Sequence, residues 1–406
     1  MTARTMVHGL NTTGNGWRRL PRRLLPRLLP LMLNKPFCSC PRAEAFPSFC
    51  MMLTALRLYK FFCCPLSLSI WSATIFFYSK LLLECSTTTL ACFGRSRFKM
   101  FQELPPCITK LRLISRGATG WVYQVDEEIA LKYTRKDRLK QFQNENNNYS
   151  LFERHGFPPY LTQSFLRLPG INFLQLMPSG SLDKRIYSNQ RRDYKNMKCL
   201  EVLRLEPTQK IEQWAMELSR AIAWLESLGL VHGDLKPANI LLDPKDHLKL
   251  VDFDSIAEIG SKHLGNSPPW SRQLGPEAGR HQGTYGLYGA TSEQFTFGSI
   301  LYTLTRGFEP YEDKRKAAVA LLRRMEFPEL SGTQLDRVIN RCWRGEYKSL
   351  VDLEKEMASL EGATAAPLAT LLDDEYMAKM RQRCAELLDS ELAGIGFEGS
   401  EEKLET

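Results

Sequence analysis

The stretch LVHGDLKPANILLD, residues 230–243, with LKLVDFDS after it, restricts this chain more than any other part of its 406 residues. Asp234, Lys236 and Asn239 fall within one short segment, and Asp252 follows the next apolar run. Each residue type has a chemical use. A carboxylate takes the proton of an attacking hydroxyl. An ammonium neutralises negative charge, and Asn239 and Asp252 bring hard oxygens of the kind that hold Mg2+. Ahead of this segment, residues 208–228 repeat apolar positions mostly at three- and four-residue intervals (Ile211, Trp214, Leu218, Ala221, Ile222, Leu225, Leu228). That spacing predicts an amphipathic helix, ended by Gly229.

Upstream, LRLISRGATGWVYQVDEEIALKY alternates and is rich in Ile, Val, Leu and Tyr, with glycines breaking the run. It predicts two strands joined by a tight loop, then a further strand at 129–132. Lacking a Cβ, Gly117 and Gly120 let backbone N–H groups approach a phosphate. RLKQFQNENNNYSLFERHG predicts a short helix with Leu139, Phe142, Tyr149 and Phe152 as its apolar positions. Glu145 follows Phe142 by three and precedes Tyr149 by four, so it shares their inward face. Glu153, nearly a quarter-turn away, is the alternative. INFLQLMPSGSL reads as an apolar strand stopped at Pro178 and Gly180.

In this order and spacing the segments resemble the eukaryotic protein-kinase family over about residues 108–355. The resemblance implies an α+β, two-lobed fold within residues 101–360. A small β-rich lobe with one main helix would span about 108–177, and a larger, mostly helical lobe about 178–360, with ATP in the cleft. By the same resemblance Ser115, Gly117 and Gly120 form the glycine-rich loop, Ser115 replacing its first glycine, and Val122 packs over the adenine. Lys132 grips the α- and β-phosphates and Glu145 holds Lys132. Leu174 is the gatekeeper, and the backbone of Gln175, Leu176 and Met177 faces the adenine. Asp234 is the base, Lys236 neutralises the γ-phosphate, and Asn239 and Asp252 hold Mg2+. Phe253 packs beneath the small lobe. The activity expected is an ATP-dependent serine/threonine protein kinase.

HGD followed by Asn and a later Asp also occurs in small-molecule kinases of the aminoglycoside and choline type. A non-catalytic kinase-fold binding module is a third reading. Lys236-Pro237 is the serine/threonine style of catalytic loop. LGPEAGR resembles the A-P-E motif, and SEQFTFGSILYTLTRGFEPYE the D-x-W-S-x-G helix with the G-x-x-P-[FY] after it. These elements build a platform for a peptide, so a protein hydroxyl is the expected acceptor. The chain departs from the pattern at Glu293 (for Asp), Phe295 (for Trp), Thr296 (for Ser) and Asp254 (for the Gly of D-F-G). Gly233 stands where most members carry an Arg that receives a phosphate on the activation segment. Without that guanidinium, activity is expected to be independent of phosphate at Ser255, Ser261, Ser267 and Ser271, which read as solvated loop serines.

Charge divides the chain. Residues 1–100 hold fourteen of the 54 Lys and Arg but only two of the 45 Asp and Glu, so the remainder is close to neutral. A nucleic-acid partner is therefore not expected. The first hundred residues read as a basic, Cys-rich leader, either disordered or outside the natural protein if translation begins at Met100. Its Arg-rich start also suits a targeting segment. Residues 61–79 carry no charge and just reach the length of a membrane span, interrupted by Pro65. A zinc site at Cys38, Cys40, Cys63 and Cys64 is a minor alternative. The remaining cysteines, Cys107, Cys199, Cys342 and Cys384, read as reduced thiols, which suits the cytoplasm or nucleus. Residues 361–406 form a helical, then acidic tail. Its segment 373–392 is expected to pack on the large lobe or, failing that, to meet a partner.

Overall fold

The computed structural model describes residues 104–395. The expectations for the leader, including the 61–79 span and the cysteine cluster, lie outside these residues. No described helix is long and apolar enough to cross a membrane.

The small lobe is one antiparallel sheet. Its strands are β1 (Arg112–Arg116), β2 (Gly120–Gln124), β3 (Ile129–Thr134), β4 (Ser164–Leu168) and β5 (Ile171–Gln175), in the order β1-β2-β3-β5-β4. Every residue of the central strand β3 is buried, because both of its faces are covered. The register shows how. Val122, Lys132 and Asn172 form one cross-strand row, while Tyr123, Leu131 and Phe173 form the next. Successive side chains point to opposite faces, so the first row looks into the molecule and the second out of it.

The inner face packs on α2 (Leu139–Arg154), whose sixteen residues make it longer than the short helix expected. α2 buries Phe142, Glu145, Asn146, Tyr149 and Phe152 along one stripe. The outer face is apolar and carries Tyr123, Ile129, Leu131, Tyr133, Phe165, Ile171 and Phe173. It is covered by α1 (Pro106–Thr109) and by a helix from the far end of the chain.

The large lobe begins with α3 (Leu182–Ser188) and a hairpin of β6 (Gln190–Asp193) and β7 (Lys198–Val202) that the sequence reading does not anticipate. α4 (Thr208–Ser227) forms its axis and buries Ile211, Trp214, Leu218, Ile222 and Leu225, as the spacing predicts. Two short antiparallel pairs follow, the second a hairpin enclosed in sequence by the first. β8 (Leu230–Val231) pairs with β11 (Ala257–Glu258), and β9 (Ile240–Leu242) with β10 (Leu248–Leu250). α5 (Ala290–Arg306) then packs on α7 (Gln334–Arg344), beyond α6 (Arg315–Arg323). The two helices come close at Gly298, where an added Cβ would lie 2.8 Å from that of Cys342. This is the two-lobed α+β fold that the resemblance implies.

The tail corrects one expectation. α8 (Leu350–Ala358) and α9 (Glu361–Ala365) close on α4, where the Gly362 N–H donates to Glu212 at 2.7 Å. The chain then leaves the large lobe. α10 (Asp374–Asp389) lies on the outer face of the small-lobe sheet, with Met377, Met380, Cys384 and Leu387 buried there. Arg383 pairs with Asp126 at 2.9 Å, the Tyr376 hydroxyl donates to Glu128, and Arg381 donates to the Phe165 carbonyl. The reason is the apolar row on β2, β3 and β5, which would otherwise face water. Each large side chain fully withdrawn from water there contributes about 1.5–3 kcal/mol.

Candidate active site

Lys132 lies in the inner row of β3 and is 5% exposed. Its ammonium is 2.6 Å from Glu145 Oε2 on α2 and 2.7 Å from Asp252 Oδ1. Burial works against the charge on Lys132, but Glu145 and Asp252 outweigh it and hold its pKa above the ordinary lysine value. At Glu145 burial is the larger effect and pushes the carboxyl up, with the Lys132 charge pulling the other way. Burial likewise opposes the charge on Asp252, yet Lys132 overcomes it and depresses the carboxyl. Glu153 is engaged elsewhere, in a two-pronged pair with Arg167 at 2.8 and 2.6 Å.

α2 is tied to Asp252 by more than that pair. The fully buried Phe253 ring meets Tyr149 and Phe152 edge-on, each at 5.2 Å, and Asn148 Nδ2 donates to the Phe253 carbonyl at 2.8 Å. Asp252 itself adopts the left-handed backbone region, φ 68°. Asp254, in place of a glycine, accepts from the Ser255 hydroxyl and leaves the Asp252 contact undisturbed.

The Asp234 loop is held from below. Glu293, at the start of α5, accepts from the N–H groups of His232 (3.2 Å) and Gly233 (3.3 Å), so the longer carboxylate does reach the loop backbone. Burial pushes the Glu293 carboxyl up to about 7, with the two N–H groups opposing it. His232 Nε2 lies 3.0 Å from the Val251 carbonyl and its Nδ1 accepts from the Asp234 N–H at 3.3 Å. Burial lowers its pKa, in keeping with a neutral ring. Gly233 sits at φ +76°, and a Cβ there would collide with the Ser255 carbonyl. The residue before Asp234 is therefore glycine for a backbone reason as well: Ser255 lies too close for a side chain in this conformation.

Three donors converge on the Asp234 carboxylate. Lys236 Nζ (2.5 Å) and Asn239 Nδ2 (2.9 Å) reach Oδ2, and Asn266 Nδ2 (2.5 Å) reaches Oδ1. Asn239 is buried, and its backbone carbonyl accepts from the Val251 N–H at 3.1 Å, which holds it beside Asp252. With its nitrogen turned to Asp234, Asn239 leaves Oδ1 without a hydrogen-bond partner among the described residues, as Asp252 leaves Oδ2. No cluster of three or more His, Cys, Asp or Glu suited to a metal exists among the described residues. One amide oxygen and one carboxylate oxygen fit Mg2+, which takes most of its ligands from water and phosphate.

The residues expected on the nucleotide side occupy the inner face and its rim. Val122 lies directly across from Lys132, and Ala130 across from Leu174, which is 9% exposed. Where β5 ends, the N–H groups of Gln175 and Leu176 donate to the carbonyls of Gln163 and Glu128. The N–H of Met177 has no partner among the described residues. Ser115 is exposed on β1, past a bulge, opposite Val122. The glycines differ from the expectation in one respect. Gly117 N–H donates to the Gly120 carbonyl at 2.8 Å, and a Cβ on Gly120 would lie 2.5 Å from the Tyr133 carbonyl. Gly120 is thus required by the close approach of β3, before any ligand is considered.

The segment after Asp252 is ordered by its own contacts. Gly260 N–H donates to the Tyr288 carbonyl, Tyr288 N–H to Ser261, and His263 N–H to Gly286. The His263 ring stacks on Tyr288 at 4.2 Å, and burial lowers its pKa to about 4. Ser271 is 4% exposed, with its hydroxyl 2.5 Å from the Asn266 carbonyl, so it is not the solvated serine expected. Asn266 itself escapes the sequence reading, since an Asn in an irregular loop carries no periodic signal.

The protein kinase domain model matches residues 108–361, more than half of the chain. Among curated proteins, the serine/threonine/tyrosine-protein kinase HT1 of Arabidopsis thaliana is 28% identical over 46% of this chain and 45% of its own length. The serine/threonine-protein kinase Sgk1-A of Xenopus laevis is 29% identical over 51% and 47%, and the Rho-associated protein kinase 1 of Oryctolagus cuniculus 26% over 50% and 15%. The chain thus spans less than half the length of these relatives. A family match of this extent, on a fold with both lobes in place, makes the chain a member of the eukaryotic protein kinase superfamily.

Proposed function

We propose that the chain transfers the γ-phosphate of ATP to serine or threonine hydroxyls of proteins. The observation that carries this reading is Lys132 joined at once to Glu145 and Asp252, at 2.6 and 2.7 Å. That arrangement links the phosphate-gripping strand to the metal-side carboxylate, and it needs α2 turned inward. Lys132 would hold the α- and β-phosphates, with Val122, Leu174 and the Met177 N–H around the adenine and the Ser115–Gly120 turn above. Asn239 and Asp252 would hold Mg2+, which neutralises charge on the phosphates. Asp234 would accept the acceptor's proton, and Lys236 would steady the transferring group.

The activation segment supports activity without a phosphate on it. Gly233 offers no guanidinium, and the β8–β11 pairing with the contacts at 260–263 and 286–288 already holds the segment. Purified protein with Mg2+ and ATP should phosphorylate protein hydroxyls, and Asp234→Asn should stop it. Label on small metabolites alone would favour a small-molecule phosphotransferase. Nucleotide binding with no transfer would favour a non-catalytic module.

A further inference from the structure

The β6–β7 hairpin lies outside every motif the kinase reading uses, yet it gathers exposed apolar surface. Of the thirteen large apolar side chains exposed among the described residues, five (Tyr194, Met197, Leu200, Leu203 and Leu205) fall between positions 194 and 205. Single exposed leucines are ordinary, but this concentration on one hairpin marks an interaction surface. The hairpin is pinned to the large lobe by its other face. Arg192 forms a buried pair with Glu312 at 2.5 Å and lies 4.1 Å over the Tyr187 ring. Gln190 Nε2 donates to the Gly307 carbonyl, and Val202 packs so close that Gly307 has no room for a Cβ. With Arg192, Cys199 and Val202 half-buried, Lys198 and Leu200 face water, and Leu203 and Leu205 stay exposed past the end of β7.

Charge on this surface is one-sided. The carboxylates of residues 189–206 are all engaged. Asp193 holds the turn by accepting from the N–H groups of Lys195 and Asn196, Glu201 pairs with Arg191 at 2.8 Å, and Glu206 with Arg185 at 2.7 Å. Lys195, Lys198 and Arg204 are exposed, and none has an ion-pair partner among the described residues. We infer that the hairpin docks an extended, acidic segment of the acceptor protein that carries large apolar side chains; the inference rests on the kinase reading above. Carboxylates complement the three unpaired cations, and an extended strand repeats its side chains at the two-residue interval of Leu203 and Leu205. The apolar residues run along β7 and beyond it instead of capping the hairpin tip, which suits a peptide better than a bilayer. The base of the hairpin also borders the acceptor side of the site. Tyr187, beneath Arg192, lines a small cavity with Lys236 and Trp270, and its hydroxyl donates to Glu309 at 3.2 Å.

Two short labelled peptides, one alternating Glu and Leu and the other Lys and Leu, test the surface by fluorescence anisotropy on the full chain without ATP. The Glu-Leu peptide should bind about tenfold tighter or more. Lys195→Glu with Lys198→Glu, and separately Leu200→Ser with Leu203→Ser, should each weaken that binding about tenfold. Both variants change exposed side chains, so each should melt within about 2 °C of wild type. Joined to a serine acceptor peptide, the Glu-Leu sequence should lower KM about tenfold with kcat within about twofold, while both variants phosphorylate the unjoined acceptor as wild type does. Equal binding of the two peptides, unchanged binding by either variant, or capture by phosphatidylserine vesicles in place of the peptide overturns the docking surface. An unchanged KM for the joined acceptor overturns the acceptor protein as its occupant. Because binding is read without ATP, a chain that binds the peptide yet transfers no phosphate refutes the kinase reading and not the surface.

Discussion

Replacing Glu293 by Gln probes how the Asp234 loop is held. The carboxylate accepts from two backbone N–H groups and is 3% exposed. Gln, like the carboxyl in its protonated form, offers one strong acceptor oxygen for these two donors. Charge adds a pH-dependent effect. Burial raises the Glu293 pKa from the ordinary 4.5 to about 7. Between those values the folded protein holds a proton that the unfolded chain has released. Its stability therefore falls as pH rises through that window, by about 3 kcal/mol in all from this group. Gln has no such dependence. The variant should match wild type closely at pH 4.5, where the wild-type carboxyl is protonated too, and should be more stable than wild type by up to about 3 kcal/mol at pH 8. Urea unfolding of both proteins from pH 4.5 to 8 measures the difference, in which all other titrations cancel. A constant gap across that range would refute the reasoning.

Leu387→Ala on α10 should destabilise the small lobe by about 2–5 kcal/mol, read by urea unfolding, because the side chain is 1% exposed against the sheet. Changing Ser255, Ser261 and Ser267 together to Ala should leave kcat within about twofold, since no guanidinium at 233 awaits a phosphate; Ser271 is excluded because it braces the Asn266 loop. His263 must stay neutral to remain buried in its stack. Its contribution should be complete above the ordinary 6.5 and be lost as pH falls towards about 4. His263→Phe should remove that acid-side loss from the protein's pH–stability profile.

Much of the site was legible because its residues carry local signals. The three- and four-residue spacing around Glu145 put it on the buried face of α2, and the alternation of apolar residues marked β2 and β3 as the strands that carry Val122 and Lys132. Both follow from the period of one element. What escaped depends on contacts between elements distant in sequence. A packing helix in the tail was legible, but its partner was not: Met377, Met380, Cys384 and Leu387 meet the small-lobe sheet and not the large lobe. Only the assembled sheet reveals that Tyr123, Leu131 and Phe173 make one apolar row that needs cover. Asn266 reaches Asp234 across 32 positions through an irregular loop, and Gly233 is constrained by the Ser255 carbonyl. Neither leaves a trace in composition or periodicity.

The most direct test is phosphate transfer itself. Wild-type protein and Asp234→Asn, incubated with Mg2+, γ-labelled ATP and a protein acceptor mixture, are compared by phosphoamino-acid analysis. The account predicts phosphoserine or phosphothreonine with wild type, reduced about 10²–10⁴-fold in the variant. No transfer by wild-type protein, or equal transfer by the variant, would contradict it.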